Sequence, residues 1–155
     1  MIWEVLDENL IIPELDASNS DEVFEKLGGR LIEQGYCKDT YINALKEREK
    51  NYPTGIDLGG INFAMPHTDS QHVNKTAIAI GVLKNPVHFY HMGTTDRDVT
   101  VNLIFMLAVE NPNEHIGFIG GLLELFQDQG LLEKLTKAKT PKDIVEIFKE
   151  KELKQ

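Results

Sequence analysis

The chain has 155 residues, 41% hydrophobic and 26% charged, and a formal net charge of -9. One compact domain spanning 1–155 fits that length, and a core of this size needs no disulfide or structural metal. The acidic balance argues against nucleic acid, whose phosphates call for Lys and Arg, and against an anionic membrane surface; a basic protein partner suits it.

The single cysteine, Cys37, leaves no internal disulfide and fits a reducing compartment. It is expected to be a small packing residue. The N-terminal "MIWEVLDENLII" carries acids where a signal peptide needs basic residues. No apolar run approaches the roughly 20 residues that span a bilayer. A cytoplasmic protein without direct membrane insertion is expected.

In chain order, Leu10-Ile11-Ile12 predicts a short strand closed by Pro13. "SNSDEVFEKLGGRLIEQG" predicts a helix capped by Ser18 or Ser20, with Val23, Phe24, Leu27 and Leu31 on one face and Gly35 as its stop. Its Gly28-Gly29 pair lowers helix propensity, which implies either close packing there or an irregular helix. A second helix is expected from Asp39, with Ile42 and Leu45 buried and Pro53 preventing continuation. The turn-rich "PTGIDLGG" then leads into a strand over Ile61–Met65, ended by Pro66.

Thr76–Leu83 and Val99–Val109 are apolar on both faces, the pattern of strands covered from both sides. "PVHFYHMG" between them reads as an edge strand or hairpin arm. Asn111-Pro112-Asn113-Glu114 predicts a capped helix start, followed by the stripe Ile116, Ile119, Leu123 and Phe126 and closed by Gly130. A short helix over Leu131–Ala138 links it to a last helix opened by Thr140-Pro141, with Ile144, Ile147 and Phe148 facing inward. The interleaving predicts an α/β fold with a mixed sheet between helical layers.

The chemistry narrows by elimination. There is no HExxH pair, GxSxG elbow or Walker lysine loop. His88 and His91, three apart on a strand, would point to opposite faces. No metal and no cofactor are expected. His67 follows Pro66 directly, so the proline stiffens its mount. Near pH 7 roughly three quarters of an ordinary imidazole is neutral and nucleophilic. Thr68, Asp69 and Ser70 bring hydroxyls and a carboxylate nearby. His115 falls in the first turn of the helix opened by Asn111, where free N–H groups favour an anion. Arg48 precedes the loop feeding the His67 strand and can grip a phosphoryl group with two donors. Each has a plainer reading: a loop histidine, a first-turn residue, and a surface ion pair of Arg48 with Glu47 or Glu49. Together the three make an oxyanion or phosphoryl site plausible.

Three blocks carry a family resemblance. "EREKNYPTGI" (Glu47–Ile56), "FAMPHTD" (Phe63–Asp69) and "NPNEHIGFIGGLLELFQD" (Asn111–Asp128) resemble the IIA components of the bacterial sugar phosphotransferase system, fructose/mannitol superfamily. The resemblance covers roughly residues 5 to 150, and "PHTD" followed by "FYHMGTTD" is most similar to the galactitol-specific branch. Met65 stands where the family usually has Ile or Val. The resemblance implies a three-layer α/β/α sandwich with a mixed central β-sheet. It implies that the phosphocarrier protein HPr loads a histidine and that a cysteine of the IIB component takes the group on, to phosphorylate a sugar entering through membrane-embedded IIC. By motif match, His67 is the phosphorylated residue, His115 its supporting histidine and Arg48 the arginine of the Arg-Glu motif. Glu49, Thr68 and Asp69 are supporting residues, although the charge of Asp69 would oppose a phosphoryl group unless it orients a neighbour or points away. A regulatory module signalling by its phosphorylation state is the alternative. A small hydrolase using both histidines lacks a separate water-activating carboxylate.

Overall fold

The computed structural model describes residues 1–154. Its sheet has five strands: β1 (Ile11–Leu15), β2 (Gly55–Ile56), β3 (Phe63–Ala64), β4 (Ala77–Tyr90) and β5 (Asp98–Ala108). They lie in the order β1-β4-β5-β3-β2. β1 pairs parallel with β4 and β3 parallel with β5, whereas β4–β5 and β2–β3 are antiparallel. The expected mixed sheet is therefore present.

Alternation along the central strands sends side chains into two cores. On one face Ala79, Ile104, Met106 and Ala108 meet α2 (Ser20–Glu33) and α3 (Tyr41–Asn51), with Phe24, Leu27, Leu31 and Tyr41 buried between. On the other, Ile80, Leu103, Phe105 and Leu107 meet α4 (His115–Leu125), α5 (Gln129–Thr136) and α6 (Pro141–Leu153) through Leu122, Leu132, Leu135, Ile144 and Phe148. A short α1 (Ile2–Val5) docks on α6, where the Glu152 carboxylate accepts from the Ile2 and Trp3 N–H groups at 2.9 and 2.8 Å. The result is the three-layer α/β/α sandwich.

Several expectations change in detail. β1 continues through Pro13 to Leu15; an edge strand tolerates a proline because one side of its backbone is unpaired. Asn19, not a serine, caps α2 by accepting from the Glu22 N–H at 2.9 Å. Close packing explains Gly28: a Cβ there would lie 2.9 Å from Ile42 Cγ1 of α3. The hairpin arm after Leu83 is a continuation of β4, beyond a register shift between Val82 and Val87 that accommodates Pro86. Gly130 lies inside α5, and α4 ends at Leu125. In the predicted stripe, Phe126 is buried and Ile119 and Leu123 are partly buried, but Ile116 is 89% exposed. The reason is that α4 is anchored at its C-terminal end, where Phe126 stacks on Phe105 at 4.0 Å and meets Phe63 edge-on at 5.4 Å. Its first turn projects past the core.

Candidate functional site

The segment carrying His67 hugs β5 on both sides of the two-residue strand β3. The Asn62 carbonyl accepts from the Asn102 N–H at 3.0 Å, and the Pro66 carbonyl accepts from the Leu107 N–H at 2.9 Å. Pro66 thus removes a donor yet still contributes an acceptor rung, so pairing ends at its carbonyl, immediately before His67. The same Leu107 residue accepts, through its carbonyl, the Tyr41 hydroxyl at 2.6 Å. Tyr41 opens α3, the helix that carries Arg48 near its other end. One peptide segment of β5 thereby fixes both the His67 mount and the arginine helix.

His67 is only 8% exposed. Its Nδ1 lies 2.7 Å from the Met65 carbonyl. A carbonyl only accepts, so Nδ1 carries the proton and donates, and Nε2 keeps the lone pair. Burial pushes the ring's pKa down to about 4; the Met65 carbonyl opposes the shift, Arg48 and His115 add to it, and Asp69 opposes it. At neutral pH the imidazole is uncharged, with a single tautomer.

The His115 ring meets it edge-on, with centroids 5.2 Å apart and planes at 73°. His115 is the first residue of α4, after a 3-10 turn in which the Asn111 side chain accepts from the Asn113 N–H. Its Nε2 is enclosed and makes no hydrogen bond among the described residues. Burial, followed by the Arg48 charge, lowers its pKa, against the pull of Asp69.

Arg48 Nη1 stands 3.9 Å from Asp69 Oδ1, and its guanidinium carbon lies 5.0 Å over the Tyr52 ring. Arg48 Nε is also enclosed without a partner among the described residues. The plainer alternative, an ion pair with Glu47 or Glu49, does not form: Glu47 bonds Lys50, and Glu49 turns inward to accept from the Thr54 N–H at 2.7 Å and the Thr54 hydroxyl at 2.9 Å. Burial raises the Glu49 carboxyl pKa to about 7, despite the Thr54 donors and Arg48. This clamp folds the loop after α3 back toward β3, where the Met65 N–H donates to the Thr54 carbonyl at 3.1 Å.

Thr68 is buried beside His67, whereas the Asp69 side chain is 72% exposed. His67 and Arg48 line an open cleft of about 580 Å³ with Tyr52, Met92 and Ile119. Tyr52, the Met65 carbonyl and the loop around Met92 were missed by sequence reasoning. Only Tyr52 left a signal, lying four residues after Arg48 where a helical turn brings side chains together. Cys37 is remote in character: it is buried, and burial pushes its thiol up to about 12. Among the described residues no three His, Cys, Asp or Glu side chains group as metal ligands would, and no helix is long and apolar enough to cross a membrane.

The family model of the phosphoenolpyruvate-dependent sugar phosphotransferase system, EIIA 2, matches residues 4–151. The chain belongs to this EIIA family. It is similar to the galactitol-specific EIIA component of Escherichia coli K12, at 34% identity over 114 residues that cover 74% of this chain and 75% of that one. The mannitol-specific IIA component of Staphylococcus aureus is 25% identical, covering 95% of this chain and 96% of its own length. Among solved structures, the mannitol IIA of E. coli superposes with a TM-score of 0.76 at 25% identity, covering 92% of this chain and 97% of that chain. The same neighbour has been solved in complex with phosphorylated IIB. The protein is thus an EIIA-type phosphotransferase domain of the sugar phosphotransferase system.

Proposed function

We propose that this EIIA domain accepts a phosphoryl group from HPr on His67 Nε2 and passes it to a cysteine of a IIB component, which works with membrane-embedded IIC. The observation that carries this reading is the Nδ1–H donation to the Met65 carbonyl, which leaves the Nε2 lone pair available on a neutral ring at an open cleft. In the loading step Nε2 forms a bond to phosphorus as the donor's bond breaks and its electron pair returns to the donor. The ring then becomes formally cationic, and the Met65 carbonyl stabilises that charge through Nδ1–H. In the second step a IIB thiolate attacks phosphorus and the pair returns to Nε2.

Such transfer relies on positioning and charge stabilisation. Two enclosed nitrogens without partners among the described residues, Arg48 Nε and His115 Nε2, are placed to supply it; buried polar atoms left unpaired are uncommon and fit a group that arrives later. Thr68 and the Glu49–Thr54 clamp shape the mount.

Incubation with phosphoenolpyruvate, enzyme I and HPr tests the assignment. Wild type acquires an acid-labile phosphoryl group and His67→Ala does not; labelling of the variant at the wild-type rate refutes His67. His115→Ala slows transfer, chiefly onward to IIB, and unchanged rates in both directions remove its role. The galactitol-specific relative supports a galactitol-type polyol as the transported sugar. Presenting the loaded protein with galactitol-type and mannitol-type IIB decides the polyol: transfer to the mannitol-type IIB alone rejects it.

One observation favours a second, regulatory reading. The transcriptional regulator ManR of Bacillus subtilis is 29% identical over 130 residues, a stretch that makes up 18% of that protein. A loaded domain that bound a regulator and gave nothing to any IIB would favour it.

A further inference from the structure

Asp69 sits two residues beyond His67 and places a negative charge where a phosphoryl dianion is to be held. Its contact with Arg48 is loose: 3.9 Å exceeds hydrogen-bond length, so the guanidinium is not committed to the carboxylate. The Arg48 guanidinium carbon also lies 5.0 Å over the Tyr52 ring, a contact that uses none of its N–H donors. The Asp69 side chain is 72% exposed, and its polypeptide is anchored because its carbonyl accepts from the His72 N–H at 3.2 Å. The carboxylate makes no capping hydrogen bond to the 3-10 turn that follows it.

We propose that Asp69 competes with the phosphoryl group for Arg48 and thereby keeps the loaded state high in transfer potential, so that the group is handed on and not retained. The inference rests on His67 being the loaded residue. When the dianion arrives, Arg48 exchanges its loose contact for phosphoryl oxygens. Asp69 is left without its counter-ion beside a like charge, which raises the free energy of the loaded form relative to the unloaded one. Asp69 is a positioning residue here: it acts through Arg48 and touches no reacting atom.

The test is the equilibrium between phospho-HPr and this protein, read as the loaded fraction by phosphorus NMR. Asp69→Asn should shift that equilibrium toward the loaded protein by about two- to fivefold, the range of exposed ion-pair energies, and slow delivery to IIB by a similar factor. Asp69→Glu, which keeps the charge, should restore the wild-type equilibrium. The shift should shrink in about 0.5 M salt, where exposed charges are screened. An Asp69→Asn equilibrium equal to wild type overturns the inference, as does an equal shift in Asp69→Glu or a shift indifferent to salt. A wild-type protein that phospho-HPr does not load overturns the underlying reading as well, and so separates the two failures.

Discussion

Replacing His67 by glutamine should flatten one particular slope in the pH dependence of stability. The folded ring titrates at about 4, against 6.5 for a free histidine. Above pH 6.5 the ring is neutral in both folded and unfolded chains and contributes no difference. As pH falls below 6.5 the unfolded histidine takes up a proton that the folded one refuses, so folded wild type loses stability. The loss is complete below about pH 4, where both states are protonated. Two and a half units at about 1.36 kcal/mol each amount to about 3 kcal/mol, of which about 2 kcal/mol has gone by pH 5. With His67 only 8% exposed, solvent screening takes little from this figure. Urea unfolding of wild type and His67→Gln at several pH values between 7 and 5 measures it. Carboxylates elsewhere titrate in both proteins and cancel in the difference. The variant should gain on wild type steadily across that range; parallel curves would refute the argument that burial holds this ring neutral, and with it the neutral nucleophile.

Two further predictions concern the loop after α3. Glu49→Gln should remove a slope of opposite sign, because the folded carboxyl keeps its proton up to about pH 7 while the unfolded one releases it near 4.5. Stability from this group therefore falls as pH rises from 4.5 to 7, by at most about 3 kcal/mol; urea midpoints of the variant that track wild type across this window would count against a buried, protonatable Glu49. Gly55→Ala should cost about 1–3 kcal/mol by overpacking, since its Cβ would lie 2.7 Å from the Tyr90 backbone oxygen. Thermal unfolding checks this, and an unchanged midpoint would mean that β2 and the end of β4 can separate freely.

Sequence reading recovered the layers because their signals are local. Val23, Phe24, Leu27 and Leu31 fall at helical spacing and are all buried. Thr140 makes its capping box with Asp143, as Thr-Pro-Lys-Asp predicts. β2 was hidden because two residues show no period, and its existence depends on Gly55 approaching Tyr90 and His91 far along the chain. Ile116 misled for a related reason: periodicity identifies an apolar face but cannot tell where a helix outruns the core beneath it. At the site, the proline-histidine junction and the first-turn histidine could be picked out, and the family resemblance gave them roles. The partners could not. Arg48 faces Asp69 and Glu49 faces Thr54 only after the chain reverses at Tyr52 and Pro53.

That reversal also explains why neighbouring residues of opposite charge, Arg48 and Glu49, do such different things. Successive helix positions point about 100° apart. One therefore faces the cleft while the other turns to the loop that closes it. Had Glu49 stayed at the cleft, a second carboxylate would stand beside Arg48 and compete with any incoming anion. Its inward turn uses the Thr54 N–H and hydroxyl as its acceptor's partners, at 2.7 and 2.9 Å, and so removes that competitor while fixing the loop. Among the described residues the carboxylate left within ion-pair distance of Arg48 is Asp69, an exposed and loosely held partner that the proposed dianion would displace. A phosphoryl site needs a cation that is oriented but not satisfied. Here the Tyr52 ring and the α3 backbone orient it, and the burial of Glu49 keeps it unsatisfied.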